Sequence, residues 1–324
     1  MKSVLSQSIT AAIAAALAVS FTALPALADE QQVLFAADTS TYKIDLYNIS
    51  GSLVTSFGDA SLNLPQGIAQ GAGGVIYVGG NQGYVEKYSS TGAYLGVFAN
   101  PNNSSAIQGV ATDSSGNVYV TNGRSVYKYN SAGTLLHSYN EPGTVNNLIG
   151  VGLNNSGDVF ATGDGPAGFK LYEFNSSLNP IGSFVIPAPS FDPYSVALTN
   201  DGYAFTTDAA YGVSHQINLT TGIGTTFSAG SAAYAVAVDS AGLYAPSSDL
   251  FFSTFPGIVE TDESGNVINT FNLNGNRPMS IAFGYYGTPK APEPGALALL
   301  LGAGATGACA LLRRRRTMKL RSVK

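Results

Sequence analysis

Short runs in which apolar and polar residues alternate recur between residues 33 and 287, and turns rich in Gly, Asn and Ser separate them. Alternation with a period of two is typical of half-buried strands, and these turn residues suit tight reversals of the chain. The pattern predicts four-stranded antiparallel units. One such unit reads as strands at residues 108–113, 117–121, 125–129 and 134–139.

Two independent markers repeat along the chain at steps of 40 to 45 residues. That spacing is the length of one four-stranded blade of a propeller. We therefore predict an all-β fold, a six-bladed β-propeller over residues 29–287. The first marker starts an apolar strand at Gly67, Gly109, Gly150, Ser195, Ala235 and Ser280. The second closes a turn at Gly51, Gly92, Gly133, Leu178, Gly222 and Gly265.

The first and last units are incomplete, and each supplies what the other lacks. The first unit begins at Val33 with what corresponds to the second strand of the others. Its missing first strand is found in residues 279–286. We predict that the N- and C-terminal strands share one blade, which would close the ring and cover otherwise open sheet edges.

Both ends of the chain carry apolar runs without strand periodicity. Lys2 precedes such a run at residues 9–24, which ends at Ala26-Leu27-Ala28. Small residues at Ala26 and Ala28 form the site that signal peptidase cuts, so residues 1–28 are predicted to be a signal peptide. A retained N-terminal anchor is the alternative.

Residues 295–312 form an uncharged run of 18 residues, followed by Arg313, Arg314, Arg315 and Arg316. As a helix the run just spans a bilayer core of about 30 Å. Basic residues favour the cytoplasmic side. We predict a linker at 288–294, a transmembrane helix at 295–312 and a basic cytoplasmic tail at 313–324.

The linker contains Pro292-Glu293-Pro294, and with the helix and the arginines it resembles the PEP-CTERM sorting signal of Gram-negative bacteria. The resemblance implies that an exosortase-type enzyme in the inner membrane cuts near the motif. It also implies delivery to the cell surface or the medium and a link to exopolysaccharide or biofilm matrix. A plain C-terminal anchor is the alternative, and it leaves the Pro-Glu-Pro motif to chance.

The repeated units resemble the NHL and YVTN families of β-propeller. Tyr119-Val120-Thr121-Asn122 reproduces the signature of the second family, and the Ser-x-Gly-x-Val-Tyr-Val pattern of residues 114–120 recurs more loosely elsewhere. The resemblance supports the fold. It leaves the activity open, because such propellers include ligand binders, partner platforms, lactonases and lyases.

The charge balance of the predicted domain excludes some partners. Between Asp29 and Ala291 there are 19 acidic and 7 basic residues. A surface this acidic repels the phosphates of nucleic acid. The single cysteine, Cys309, lies in the predicted membrane helix, so no disulfide or thiol chemistry is expected in the exported domain.

Catalytic side chains are scarce. The two histidines, His137 and His215, fall in different strands of different blades, so we expect packing or surface roles for both. Lyases of related propeller families rely on histidine near the axis, which this chain does not supply. We predict a non-enzymatic binding or structural module with no cofactor. A lyase or lactonase with a site at the channel mouth is the alternative.

One set of oxygen-bearing side chains is predicted for the loops between second and third strands, which share one face of the ring. Six such oxygens would suit Ca²⁺, although Asp and Asn are also common turn residues, and we expect the turn role. The set is Asp38, Asn81, Asn122, Asp164, Asp208 and Asp249. Asp113 and Asp239 form a weaker pair on the opposite face.

Tyrosines on predicted third strands suit either ligand contact or packing between blades. Tyrosine is favoured where carbohydrates or proteins bind, so a polysaccharide or protein partner is expected. Their alternation is equally what packing requires, and we favour packing. These residues are Tyr84, Tyr88, Tyr127, Tyr129 and Tyr172.

Overall fold

The structure is a computed structural model, and its Glu30–Gly287 part forms one compact unit. It describes residues 31–287 except 102–104, 143–145, 165–167, 192, 229–232, 239–249, 255–256, 263–264, 274–275 and 277. The predicted signal peptide, linker, membrane helix and basic tail lie outside the described residues. Within the described ranges, no helix is long and apolar enough to cross a bilayer.

Strands account for almost all regular structure in the described part of the chain, with one short 3-10 turn at Ala72–Gly74. The first twelve are β1 Gln31–Asp38, β2 Lys43–Asn48, β3 Leu53–Phe57, β4 Pro65–Gln70, β5 Ile76–Gly80, β6 Val85–Tyr88, β7 Tyr94–Ala99, β8 Ile107–Thr112, β9 Val118–Asn122, β10 Ser125–Tyr129, β11 Leu135–Asn140 and β12 Asn147–Leu153. The second twelve are β13 Val159–Asp164, β14 Lys170–Phe174, β15 Pro180–Val185, β16 Pro193–Leu198, β17 Tyr203–Asp208, β18 Val213–Asn218, β19 Gly224–Phe227, β20 Ala233–Val238, β21 Leu250–Thr254, β22 Gly257–Thr261, β23 Val267–Asn272 and β24 Pro278–Tyr286.

The strands pair into six antiparallel sheets of four, which are the blades. Blades 2 to 6 are β4–β7, β8–β11, β12–β15, β16–β19 and β20–β23, and blade 1 has the order β24-β1-β2-β3. The predicted shared blade is confirmed, with Gln31 opposite Tyr286. Both strands begin slightly earlier than the sequence pattern predicts, at Gln31 and Pro278.

The first strands form the inner wall of the ring. Each contacts the first strand of the next blade, and β20 contacts β24, so the circle is complete. The core lies between blades rather than within them. Phe35 of blade 1 packs with Val78 of blade 2, and Leu34 on the other side of β1 packs with Ile258 of blade 6.

The predicted marker turns all adopt the same backbone conformation. Each lies between the third and fourth strands and has a positive φ, at Gly51 (84°), Gly92 (83°), Gly133 (85°), Leu178 (60°), Gly222 (72°) and Gly265 (82°). Glycine reaches this region without a steric penalty, which explains its recurrence. Leu178 accepts the conformation while its side chain is buried in the core between blades 3 and 4.

The fourth strands form the perimeter and are largely exposed. Leu135 and Leu136 of β11 are 49% and 43% exposed, and Ile181 of β15 is 55% exposed. The apolar residues on these strands are therefore explained by their preference for the strand conformation rather than by burial in the core.

Candidate functional site

We call the upper face the side of the ring that carries the loops between second and third strands. The starts of the first strands lie on the same face, because Pro65 at the start of β4 pairs with Gly80 at the end of β5. The lower face carries the other two kinds of turn. Residues near the start of each first strand therefore surround the upper mouth of the central channel.

Every first strand has a register shift close to its upper end. A β-bulge leaves one residue without a cross-strand partner, re-aims its side chain and is frequent beside binding sites. Here the extra residue lies at the channel mouth. In five blades the extra residues are Gln66, Gln108, Tyr194, Tyr234 and Met279, all partly exposed.

Blade 4 differs at the corresponding position, where Ile149 is only 2% exposed. Five partly exposed side chains and one buried isoleucine therefore occupy the six equivalent places. The mouth is asymmetric as a result, and its tyrosines come from the adjacent blades 5 and 6.

Hydroxyl groups on second strands hold the bulges in place. Thr121 Oγ1 accepts a hydrogen bond from the Gly109 N–H (2.8 Å) and donates to the carbonyl of Ile149 in the next blade. Thr162 accepts from Gly150 N–H, and Ser253 accepts from Ala235 N–H, both at 2.8 Å. Each hydroxyl replaces the backbone partner that the bulge removes, so the ladder stays satisfied.

The channel encloses a cavity of about 260 Å³ lined by the first strands. At its upper mouth, Gln66 Nε2 donates to Asn81 Oδ1 (3.0 Å), which fixes one amide pair. Tyr194 and Tyr234 meet edge to face, with ring centroids 5.6 Å apart. Amides on one side and an aromatic pair on the other are the recognition groups present.

The chemistry of this cavity is neutral. Among the described residues that line it, none is Asp, Glu, His, Lys, Arg or Cys. Ser195 is a lining residue, and its Oγ accepts a hydrogen bond from Val236 N–H (3.4 Å). General acid–base catalysis and nucleophile activation both need an ionisable neighbour. Amides and rings suit instead a ligand with hydroxyl groups and a flat apolar side.

The predicted ring of oxygens falls at the ends of second strands, as expected, for five of its members. Asp38, Asn122, Asp164 and Asp208 end their strands, and Asn81 follows β5 directly. Asp249 lies outside the described residues. Position 249 precedes β21 and therefore does not correspond to the end of a second strand. Thr254 occupies the corresponding end position, since it pairs with Ala233 as Asp208 pairs with Pro193.

These side chains hold loops in place rather than converge on the axis. Asp208 Oδ2 accepts from the N–H of Phe191 (2.5 Å), and Asp164 Oδ1 accepts from the N–H of Asn147 (2.6 Å). Asn122 Nδ2 donates to the carbonyl of Ser105 (2.7 Å). All three bonds hold the start of a first strand, or the residues just before it, at the upper face.

Asp38 acts within its own loop, where it accepts from Ser40 N–H (2.8 Å) and Thr41 Oγ1 (2.8 Å). Asp38, Asn122 and Asp208 are at most 3% exposed, so they do not form a ring around the mouth. In the part of the chain that the structure describes, no three His, Cys, Asp or Glu side chains are grouped as metal ligands. The Ca²⁺ site stays a prediction without a set of converging ligands.

The two histidines lie on the strands predicted for them, but they differ in their exposure to solvent. His137 on the fourth strand β11 is exposed, and His215 on the third strand β18 is fully buried. Burial lowers the pKa of His215 to about 4, and the Asp208 carboxylate opposes the shift. His215 Nδ1 lies 3.1 Å from Thr226 Oγ1. Neither histidine lines the channel cavity.

The third-strand tyrosines favour packing. Tyr88 is 0% exposed and contacts Phe57 ring to ring (5.2 Å), while Tyr129 is 5% exposed and contacts Phe98 (6.1 Å). Tyr84, Tyr127 and Tyr172 are partly buried. Asp113 shapes a turn on the lower face, and its predicted partner Asp239 lies outside the described residues.

The bulge residues were missed from sequence, although a signal was present. Each immediately precedes one of the first-strand markers, as Gln66 precedes Gly67 and Tyr194 precedes Ser195. An alternation pattern cannot reveal a residue that has left the alternation. Position relative to the repeat would have found all five.

Comparison with solved structures shows the fold. A chain from the nidogen/laminin complex matches with a TM-score of 0.64 and 14% identity over 78% of this chain and 98% of its own. A Bacteroides caccae protein of unknown function matches with a TM-score of 0.63 and 16% identity over the same shares. Virginiamycin B lyase from Staphylococcus aureus matches with a TM-score of 0.58 and 15% identity, over 76% of this chain and 83% of the lyase.

No protein-family model and no curated protein matches the chain. At these identities the structural neighbours support the β-propeller fold alone, and the number of blades follows from the six sheets of this chain. They include a lyase and a protein of unknown function, so the fold alone does not select an activity.

Proposed function

We propose that this protein is an exported β-propeller that binds a neutral, hydroxyl-rich ligand, such as a polysaccharide, at the upper mouth of its channel without converting it. The observation that carries the proposal is the neutral lining of the cavity, with amides at Gln66 and Gln108 and the ring of Tyr194. The ring of Tyr234 packs against Tyr194 at the mouth. Sugars are recognised by this combination, because hydroxyls hydrogen-bond to amides and the faces of sugar rings pack on aromatic rings.

The lining of the same cavity also supports binding of the ligand without a chemical reaction. Glycoside hydrolysis uses two carboxyl groups, and lyase chemistry needs a base to remove a proton. The described lining residues supply neither a carboxylate nor a histidine. A lyase or lactonase remains the alternative, and it would be detected as a product in the binding assay.

Delivery is the second part of the proposal and stands on the two termini. A signal peptide cut after Ala28 exports the propeller, and a PEP-CTERM-type tail with Pro292-Glu293-Pro294 holds it at the inner membrane until an exosortase-type enzyme passes it to the surface. This destination places the propeller beside extracellular polysaccharide.

The binding proposal is tested with the full chain in mild detergent on an array of neutral and acidic polysaccharides, followed by titration of the hits. Tyr194→Ala and Tyr234→Ala are each expected to weaken binding about tenfold, because a central aromatic anchor contributes more than about 1 kcal/mol. Tyr211→Ala is the matched control, since Tyr211 is a 54% exposed tyrosine in an upper-face loop and is neither a bulge residue nor part of the channel lining. Unchanged affinity in both channel variants, or release of a product, would refute the proposal.

The delivery proposal is tested by the intact mass of the protein recovered from the cell surface of its own host. We expect a chain that begins at Asp29 and ends near Pro294. A surface form that still carries Arg313 to Arg316 would show a plain anchor. Replacement of the four arginines by alanine should disturb retention and orientation of the helix, because the charge that stops translocation is gone.

A further inference from the structure

A second cavity lies on the lower face, in the cleft between blades 3 and 4, and its volume is about 300 Å³. Its walls are turns of both blades, including Ser115 after β8, Asn155 and Ser156 after β12, and Ser176 after β14. This volume is at the lower end of the range of about 300–1,000 Å³ for small-molecule sites. The cavity shares no lining residue with the channel cavity.

Lys128 is the notable member of this cavity. Its side chain, on β10, is only 9% exposed, and its Nζ donates to the carbonyl of Ser176 in blade 4 (2.8 Å). Nζ also lies 5.1 Å from the centroid of the Tyr119 ring, which suits a cation–π contact. A lysine ammonium has three N–H donors, so one hydrogen bond leaves two for a ligand.

The ammonium of Lys128 has no carboxylate partner within ion-pair distance among the described residues. Buried charges in proteins are usually paired, because loss of water is costly for an unpaired ion. A lysine held nine-tenths buried at the wall of a polar cavity therefore favours an external anion.

Asp113 lies in the same cavity, but its hydrogen bonds come from elsewhere. Oδ1 accepts from the N–H groups of Ser115 (3.0 Å) and Asn117 (2.8 Å). Oδ2 accepts from Asn117 Nδ2 (2.7 Å) and the Tyr119 hydroxyl (3.0 Å). Burial alone would raise the pKa of Asp113, yet these hydrogen bonds outweigh it and lower the pKa. Asp113 is thus an ionised, fully hydrogen-bonded turn residue and not the counter-ion of Lys128.

We propose that this cavity binds a monocarboxylated sugar, with the carboxylate on Lys128 and the sugar hydroxyls on Ser115, Asn155 and Ser156. One ammonium balances one negative charge. A phosphate dianion would add a second charge to a domain with 19 acidic and 7 basic residues between Asp29 and Ala291. Phosphate sites also favour arginine forks, and no arginine lines this cavity among the described residues.

A matched lysine in blade 2 shows what the cavity beside blade 3 depends on. Lys87 on β6 pairs with Tyr77 in the same register as Lys128 on β10 pairs with Tyr119. Lys87 is nevertheless partly exposed and lines neither cavity. The turn of blade 4 that carries Ser176 covers Lys128 and makes the difference.

The test is a calorimetric titration of the full chain in mild detergent with D-glucuronate, D-glucose and inorganic phosphate. We expect glucuronate to bind, glucose to bind at least tenfold more weakly and phosphate to bind no better than glucose. Lys128→Met keeps the apolar stem and removes the charge, so it should weaken glucuronate binding at least tenfold. Lys87→Met should leave it unchanged. A soluble polyuronate titrated in parallel separates a site for a free sugar from one for a unit of a polymer, and binding of either supports the carboxylate assignment.

A second readout needs no variant. Reductive methylation followed by mass spectrometry reports the accessibility of each lysine, and glucuronate should protect Lys128 but not Lys87, whereas glucose should protect neither. Equal protection by glucose, equal affinity of Lys128→Met, or tighter binding of phosphate than of glucuronate would overturn the proposal. Binding at the channel mouth would add heat to the titrations, but it would not respond to Lys128→Met and would not protect Lys128. The proposed polysaccharide site there therefore stands or fails separately.

Discussion

The innermost and the outermost strands of the blades both carry apolar side chains, but these side chains lie in opposite environments. Ile281 on the inner strand β24 is 5% exposed, whereas Ile181 on the outer strand β15 is 55% exposed. Both positions satisfy the same strand pattern. Hydrophobicity along this chain therefore predicts that a strand forms, while the position of the strand within the blade decides whether its side chains contribute to the core.

The backbone differs in the same direction. Glycines of inner strands touch the next blade, so a Cβ at Gly109 would lie 2.6 Å from the carbonyl oxygen of Ile149. On the outer strand β15, a Cβ at Gly182 would meet only Glu173 Oε2, at 3.0 Å. In the inner ring the backbones of neighbouring blades are in close contact, whereas the perimeter has room for a larger side chain.

Removal of the inner strand β24 should have the largest effect. A chain that ends at Arg277 loses the buried side chain of Ile281 and the backbone of Tyr285, which Gln70 holds through two hydrogen bonds of 2.7 Å. Each buried apolar side chain contributes about 1.5–3 kcal/mol, and loss of β24 also uncovers apolar side chains of β1, β4 and β20. The total loss therefore approaches the stability of a typical domain, about 5–15 kcal/mol. A chain that ends at Lys290 should melt like the full chain in thermal unfolding followed by circular dichroism. Equal melting temperatures for the two truncations would contradict the shared blade.

The loss of stability at acidic pH should depend on His215 and not on His137. Burial lowers the pKa of His215 from 6.5 to about 4. Between pH 4 and pH 6.5 the unfolded chain therefore binds a proton at His215 that the folded chain does not bind. The contribution is fully present above pH 6.5 and is lost as the pH falls towards 4. By linkage it amounts to about 3 kcal/mol. His215→Gln should flatten this part of the stability curve in urea titrations at pH 7, 5.5 and 4. His137→Gln, on the exposed outer strand, should keep the full slope, and an equal slope in both variants would exclude His215 as its source.

The two glycines sharpen the comparison at the backbone. Gly109→Ala should destabilise the fold by about 1–3 kcal/mol, because the added methyl group meets the backbone of blade 4 and the Thr121 hydroxyl at 2.7 Å. Gly182→Ala should change the free energy of unfolding by less than about 0.5 kcal/mol, since the Glu173 side chain can move aside. Urea unfolding at neutral pH measures both. If Gly182→Ala proves as costly as Gly109→Ala, the perimeter is as tightly packed as the inner ring.

The smallest effect is expected on the perimeter itself. Ile181→Thr replaces an exposed residue by another good strand former, so its cost should be below about 0.5 kcal/mol. Ile281→Thr, the matched inner change, buries a hydroxyl among apolar groups and should cost about 1–3 kcal/mol. Melting temperatures of the two variants check the difference. A clear loss in Ile181→Thr would mean that another surface covers β15 in solution.

The fold could be predicted from the sequence because residues that suit a positive φ recur at the spacing of the blades. The glycines at Gly51, Gly92 and Gly133 recur where φ is positive, and residues 279–286 complete the pattern that begins at Val33. Leu178 shows the limit of that signal, since it adopts the same turn without being glycine.

The candidate sites were less predictable, because both depend on neighbours from other blades. The side chain of Gln108 is set by a bulge that the Thr121 hydroxyl supports. Lys128 is buried by a turn 48 residues further along the chain. Asp208 shows the converse, since a residue suited to a metal serves to hold the N–H of Phe191. A turn is determined by residues that are close in sequence, whereas each candidate site is formed by residues from different blades.

Closure of blade 1 by both ends has a consequence for the order of events during synthesis. When β1 has been made, roughly 240 residues must still follow before its partner β24 exists. At about 5–20 residues per second, this interval is roughly ten seconds to one minute. Throughout it, one edge of β1 has no partner, and a second nascent copy carries the same unpaired edge. The ring therefore cannot close before β24 has been made, and until then the concentration of unfinished chains sets how often β1 meets the same edge of a second copy.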